Sequence, residues 1–317
     1  MKAHPKIVAL TLFLMLPTLG ICADNTPQGT YVPRIVLTAP WGKTNLRVNK
    51  VPSEPGTFGF RIDEEGIEHG PTAFTIAPNG DIYIADNIND RTQHFSASGQ
   101  FISIIPNVRV GYDSGLRVDK EGNIYTGHFY TLNPYVKKFN PQGNLLITYP
   151  VSKDDEMGTD DPAHWGGQGN ILVDDSGRIF VQYLRGNFEY SFQVGTKDAT
   201  FGSAQQKTSW KQGFYGLTAN LPNGNQRYSG DILGLDSLYE YEMEKDEKNE
   251  NISIITKYQN GKLVGTYTLD WKQIECPILT AFSMGGRQVF DKGNIYVFCS
   301  DKEGIKIIKW SPVGGSK

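Results

Sequence analysis

The chain has 317 residues, among them 35 glycines and 17 prolines, a composition that favours many turns over long helices. Two of the 31 basic residues and none of the 34 acidic residues precede residue 24, so the remainder has five more acidic than basic residues. This balance excludes a basic surface for nucleic acid or for an anionic membrane.

The first 23 residues have the pattern of a secretory signal peptide. Lys2 and Lys6 precede an apolar run that ends at Leu16, and Ile21–Ala23 offers a cleavage site. The run is shorter than the roughly 20 apolar residues of a transmembrane helix. We therefore expect residues 24–317 to be secreted or periplasmic, without a transmembrane segment. Lipid anchoring at Cys22 is the alternative, although Ile21 stands where such sites have a small residue.

Four later segments align on a glycine and predict β-hairpins. They are "IAPNGDIYIAD" at Gly80, "VDKEGNIYTGH" at Gly122, "VDDSGRIFVQY" at Gly177 and "VFDKGNIYVFC" at Gly293. In each segment, the residues before the glycine have the two-residue period of a β-strand, and those after it form a strand of β-branched or aromatic residues. The glycine supplies the positive φ of the tight turn between them. A fifth copy, "ILGLDSLYEYEM" at 232–243, keeps both strands but has Ser237 at the turn.

Further strands follow these hairpins, which gives units near 73–104, 115–150, 169–200, 230–270 and 284–311. Four antiparallel strands cannot bury both faces alone, so the units must stack on one another. The expected fold is therefore an all-β propeller of four-stranded blades. The last unit ends after its third strand, and we expect "RIVLTA", in the segment 31–60, to supply the fourth and remove the open edges.

The first unit, "GPTAFTIAPNGDIYIADNINDRTQHFSASGQFI", resembles the NHL repeat, whose pattern includes "IYV.D", an "N.R" pair and a closing "F...G.F". The second unit matches well except for "NPY" in place of "N.R", and the third and last match only in the hairpin. The resemblance implies that residues 24–317 form one NHL-type propeller of an exported bacterial protein. It implies six blades, with the sixth in 200–229, and five blades with a long insertion there are the alternative. Such a motif specifies fold far more than function.

One face of a propeller carries the starts of the innermost strands and the ends of the second strands. The residues before the inner strands are Thr72, Ser114, Gly169 and Gly285, and those that end the second strands are Asp86, His128, Tyr183 and Cys299. Aromatic residues beyond strand ends suit sugars, peptides or a partner protein. The candidate ligand-binding residues are therefore His128, Tyr130, Trp165, Tyr183, Asp86 and Arg91. For Asp86 and Arg91, we favour a structural role in tying the second strand to its loop.

The residues before the inner strands do not suit a catalytic metal. The peptide-amidating lyase, also built of NHL-like repeats, places zinc-binding histidines there, where this chain offers threonine, serine and glycine. Lactonase-type propellers bind calcium through Glu, Asn and Asp, and only Asp86 and Asn87 could contribute. The acidic run 152–167 could hold calcium or simply be solvated. We therefore predict no metal site and no cofactor, with calcium possible.

These features predict a non-enzymatic, monomeric propeller that binds a protein, peptide or glycan through one face. The alternative is a metal-assisted hydrolase or lyase with a divalent cation at the channel mouth. Removal of residues 1–23 leaves two cysteines, Cys276 and Cys299. They could form a disulfide in an oxidising compartment or stay buried free thiols, and the sequence favours neither.

Overall fold

The computed structural model describes residues 29–42, 54–62, 64, 68–110, 115–129, 134–151, 169–173, 176–185, 188–201, 207–213, 218–220, 226–228, 232–235, 240–246, 248–259, 262–274 and 288–314. These residues form β-strands and two single 3₁₀ turns, Asn87–Asn89 and Trp271–Gln273. Among them, no helix is long and apolar enough to cross a membrane.

The chain begins with the long strand β1 (Gly29–Pro40), followed by the short hairpin of β2 (Arg61–Ile62) and β3 (Glu68–His69). The first sheet consists of β4 (Ala73–Ile76), β5 (Ile82–Asp86), β6 (Arg91–Phe95) and β7 (Phe101–Pro106). The second consists of β8 (Leu116–Val118), β9 (Ile124–His128), β10 (Tyr135–Phe139) and β11 (Leu145–Pro150). In both sheets each strand pairs with the next along the chain, as the hairpin pattern predicts.

The third sheet contains β12 (Gly169–Val173), β13 (Arg178–Arg185), β14 (Phe188–Thr196), β15 (Ala199–Thr200) and β16 (Lys207–Gly213). Both β15 and β16 pair with β14. The strands β17 (Thr218–Asn220) and β18 (Gln226–Tyr228) form a separate two-stranded sheet. Within the described part of 200–229, the chain therefore adds one strand to the third sheet and forms one hairpin.

The fourth sheet has eight strands. Its first half is β19 (Ile232–Leu235), β20 (Glu240–Asp246), β21 (Asn249–Gln259) and β22 (Lys262–Asp270). Its second half is β23 (Gln288–Asp291), β24 (Asn294–Asp301), β25 (Gly304–Gly314) and β1. The halves meet where β1 runs parallel to β22 over two residues.

The N-terminal strand completes the last unit, as the sequence predicts. Antiparallel pairing of β1 with β25 runs from Gly29 opposite Gly314 to Pro40 opposite Gly304. The innermost strands of successive units also contact each other, with β4 between β23 and β8, and β8 against β12. The four-stranded sheets thus have a propeller-like arrangement.

The four predicted turn glycines all adopt positive φ. The values are 92° at Gly80, 82° at Gly122, 77° at Gly177 and 89° at Gly293. Apolar side chains then pack between neighbouring sheets. Phe74 and Ile84 of the first sheet join Phe298 and Ile307 in one core. The opposite face of the first sheet packs on the second, and the second packs on the third. The strand ends are therefore held on a rigid scaffold.

Candidate functional site

The second strands of the first two sheets end where the sequence predicts. β5 ends at Asp86 and β9 at His128. Tyr183 and Cys299 do not end their strands as predicted, because β13 continues to Arg185 and β24 to Asp301. Tyr183 is opposite Gly169 and Tyr190 of the neighbouring strands. Tyr130, Trp165 and Cys276 lie outside the described residues, so their predicted roles stay predictions.

Asp86 is fully buried, and both of its carboxylate oxygens accept hydrogen bonds. Oδ1 accepts from the backbone N–H of Gly59 at 3.1 Å. Oδ2 accepts from Asn89 Nδ2 at 2.8 Å, Arg91 Nε at 2.9 Å and Gln93 Nε2 at 3.5 Å. Burial raises the pKa of Asp86 even though Asn89, Arg91 and the N–H of Gly59 act to lower it. Because the donors surround the carboxylate, little of it is left to bind a ligand or metal ion.

Arg91 and Gln93 bind the main chain of residues 54–59, which we call the latch segment. Arg91 Nη2 donates to the carbonyl oxygen of Thr57 at 2.7 Å, and Gln93 Nε2 donates to the same oxygen at 2.7 Å. Gln93 Oε1 accepts from the backbone N–H of Gly56 at 2.9 Å. The side chains of β6 thereby hold a turn, closed by the bond from the N–H of Thr57 to the carbonyl of Glu54, that lies more than 30 residues earlier in the chain.

The latch segment also pairs with the end of β1. The N–H of Phe58 donates to the carbonyl of Pro40 at 3.1 Å, and the N–H of Gly42 donates to the carbonyl of Phe58 at 2.8 Å. The Phe58 ring is buried and stacks on Phe95 at 5.9 Å. The latch segment therefore connects the closing strand to the first sheet, and the Asp86–Arg91 pair has a structural role.

His128 has very different surroundings. Its half-buried ring stacks on Tyr135, the residue opposite it in β10, with ring centroids 4.7 Å apart and an interplanar angle of 24°. A hydrogen bond to the main chain of Arg109 supports the ring. Burial, followed by the charge of Lys137, lowers the pKa of His128 to about 4. The imidazole is therefore neutral at ordinary pH.

Two neighbours of His128 were missed by sequence reasoning. Lys137 Nζ lies 5.1 Å from the centroid of the Tyr135 ring, an arrangement typical of a cation–π contact. Tyr135 is the last residue of the "NPY" that replaces the "N.R" of the first unit. This difference from the repeat pattern could have identified Tyr135 from the sequence. Lys137 follows on the same face of β10, two residues later.

Polar groups also lie between the innermost strands. Arg117 of β8 donates from Nη1 to Thr75 Oγ1 of β4 at 3.2 Å. Burial lowers the pKa of Arg117 to about 10, while Asp291 of β23 acts to raise it. These contacts connect three neighbouring units and have the features of a structural bridge.

Thr72 and Cys299 occupy two of the predicted positions on this face. Thr72 is buried, and its backbone N–H donates to the carbonyl of Ala85 at 3.1 Å. Cys299 is buried and disulfide-bonded, and its partner lies outside the described residues. Within the part of the chain that the structure describes, no three His, Cys, Asp or Glu side chains are grouped as a metal site would require.

Comparisons with known proteins do not assign the chain to a family. No family model matches it, and no curated protein does. A member of the duf4221 family from Bacteroides vulgatus has a TM-score of 0.44 and 10% identity, with 91% of this chain and 99% of that chain covered. A streptogramin B lyase has a TM-score of 0.40 and 11% identity, with 89% and 98% covered.

A third solved structure is a calcium-binding protein, regucalcin, from Agrobacterium tumefaciens. It has a TM-score of 0.41 and 11% identity, with 78% of this chain and 91% of that chain covered. At TM-scores below 0.5, these likenesses carry no argument about function. The description of the fold therefore rests on the strand order of the chain itself.

Proposed function

We propose that the protein is an exported, six-bladed NHL-type propeller that binds a protein, peptide or glycan partner through the face where the second strands end. The observation that carries this proposal is the stacked pair of His128 and Tyr135 beside Lys137. The three side chains are half-buried, so they combine a preformed aromatic surface with polar groups that solvent can reach. Flat rings with a few placed polar groups are typical of recognition sites.

The chemistry of Asp86 favours binding over metal-assisted catalysis. A hydrolase or lyase with a divalent cation at the channel mouth would need oxygen ligands there. Asp86 is the predicted contributor, but its oxygens already accept bonds from Gly59, Asn89, Arg91 and Gln93. Recruitment of Asp86 by a cation would therefore disrupt the contacts of the latch segment.

Peptide and glycan arrays probed with the purified chain of residues 24–317 test the proposal. We expect His128→Ala, Tyr130→Ala and Tyr183→Ala to weaken binding and to leave the melting temperature within a few degrees. Gly80→Val, on the opposite face, is the matched control, because it should lower the melting temperature while the folded fraction keeps its affinity. Normal binding by all three face variants would contradict the proposal.

Metal content separates the proposal from its alternative. The dialysed protein should contain less than stoichiometric calcium or zinc by elemental analysis. Stoichiometric metal, together with loss of that metal on substitution of Asp86, would favour the hydrolase or lyase.

A further inference from the structure

Two cationic side chains lie opposite each other where the closing strand β1 pairs with β25. Arg34 of β1 is directly opposite Lys309 of β25, and Lys309 is in turn opposite Tyr296 of β24. Residues opposite each other in neighbouring strands share a face, and Tyr296 belongs to the core between the fourth sheet and the first. The three side chains therefore form a row on that face. The row lies near the turn at Gly293, at the opposite end of the strands from the proposed partner-binding face.

The pairing of Arg34 with Lys309 is electrostatically unfavourable. Opposite positions of antiparallel strands favour opposite charges, and like charges there destabilise a sheet. Lys306 of the same strand shows the usual solution, because its Nζ lies 2.5 Å from Oδ2 of Asp301. Within the described part of the chain, Arg34 and Lys309 form no such ion pair. The repulsion between them is therefore not relieved by a direct carboxylate partner.

Each side chain of the row ends in a hydrogen-bond donor. Arg34 is exposed and Lys309 is half-buried. The side chain of Tyr296 is buried, and Lys309 Nζ lies 5.5 Å from the centroid of its ring. To the residues that the structure describes, none of the three side chains donates a hydrogen bond. The row thus carries a guanidinium, an ammonium group and a phenol whose donors are not used by the fold.

The pKa of Tyr296 shows which charges act on the phenol. Burial, followed by the charge of Asp291, raises this pKa to about 12, while the charge of Arg34 acts to lower it. The hydroxyl therefore keeps its proton at ordinary pH and lies within electrostatic range of the guanidinium. Asp291 also acts to raise the pKa of Arg117 of β8, so its negative charge is shared with a third cation. Of these four charged groups, three are positive, which favours an anion.

We propose that Arg34, Lys309 and Tyr296 bind a phosphate or sulfate group, either as the free ion or as part of a larger ligand. A guanidinium offers two parallel N–H donors to an oxyanion, an ammonium group offers a point charge, and a phenol adds a further donor. Neighbouring strands lie about 4.8 Å apart, so the row spans about 10 Å, which long side chains can bridge toward one group.

The bound group acts on ring closure. Its charge offsets the repulsion between Arg34 and Lys309, and its oxygens connect β1 to β25 and β24. A tetrahedral oxyanion has enough oxygens to accept from all three side chains, whereas a carboxylate has two. The site is separate from the proposed partner-binding face, so this inference does not depend on the proposed function.

Thermal melts of the chain 24–317 at constant ionic strength test this inference, with phosphate or sulfate replacing chloride. We expect about 20 mM phosphate to raise the melting temperature of the parent chain by about 3 °C or more. Arg34→Gln and Lys309→Gln should lose most of this increase, and Tyr296→Phe should lose part of it. In chloride alone, Arg34→Gln should melt at or above the parent temperature, because the repulsion is removed. Calorimetric titration with phosphate should give Arg34→Gln a Kd at least about 10-fold weaker.

The matched control is Lys306→Gln, which removes a lysine of the same strand that pairs with Asp301. This variant should keep the full increase with phosphate, and Arg34→Lys, which retains the charge, should keep part of it. Glycerol 3-phosphate distinguishes the two sources of the group. An increase with this ester alone assigns the site to a phosphate ester, and an increase with inorganic phosphate shows that the free ion suffices. Equal increases in the parent and Arg34→Gln chains, or no increase beyond that in chloride with any of the three anions, would overturn the inference.

Discussion

Replacement of Gly99 by alanine tests whether the closing strand packs against the first sheet. Gly99 lies in the turn between β6 and β7 with φ of 81°. A Cβ at this position would lie 2.1 Å from the carbonyl oxygen of Val36 and 3.1 Å from the Cα of Leu37, both in β1. At Gly80, φ is 92° and the nearest atom to a Cβ is the Cβ of Ala97, at 3.3 Å. The two glycines thus share a backbone strain and differ in the contact with β1.

The expected losses of unfolding free energy follow from these two terms. The left-handed conformation costs an L-residue about 1–2 kcal/mol at either site. Only Gly99→Ala also forces β1 to move, which adds about 1–3 kcal/mol, as in an overpacked core. We therefore expect roughly 1–2 kcal/mol for Gly80→Ala and roughly 2–5 kcal/mol for Gly99→Ala.

Thermal and urea unfolding of the two variants measure the difference. For a chain of this size, about 1 kcal/mol corresponds to roughly 2 °C in melting temperature. Asparagine tolerates the left-handed region, so Gly80→Asn should recover part of the loss, whereas Gly99→Asn should not. Equal losses at the two sites would refute the packing of β1 against this turn.

Three further predictions concern Asp86, His128 and Cys299. Asp86→Asn leaves the guanidinium of Arg91 buried without its counter-ion and should cost about 3–5 kcal/mol, with faster hydrogen exchange in the latch segment. The pKa of His128 is about 4 in the folded chain, against about 6.5 when unfolded. Because only the unfolded chain then binds the proton, stability should fall between about pH 6.5 and 4, and His128→Gln should reduce that slope in thermal melts. Peptide mapping under non-reducing conditions should find Cys299 joined to Cys276, a link of about 3 kcal/mol, and full alkylation of both thiols would contradict it.

The hairpins could be predicted from sequence because each has a local signature. A turn glycine between two strands of alternating residues leaves few other conformations, and Gly80, Gly122, Gly177 and Gly293 all adopt positive φ. The closing role of β1 could also be predicted, because a last unit with three strands leaves an open edge. In the segment 200–229 the signature is missing, and so the expected blade could not be located there.

The latch segment could not be predicted, since its contacts leave no local pattern. Gln93 bonds to Gly56 across 37 residues, and both of its contacts with the latch segment are with backbone atoms. Arg91 could be identified because its side chain bonds to Asp86, five residues away. Tyr135 is an intermediate case. Its position in the repeat could be predicted by matching "NPY" to the "N.R" of the first unit.

The contrast between the ends of β5 and β9 has a physical explanation in the path of the chain. The latch segment joins the end of β1 to the first sheet, so Asp86, Arg91 and Gln93 must satisfy its backbone groups in a buried setting. In the second sheet, His128 bonds to the main chain of Arg109 and stacks on Tyr135, and neither contact requires a charged side chain. The same strand end therefore carries a buried ion pair in the first unit and a neutral, half-buried aromatic pair in the second.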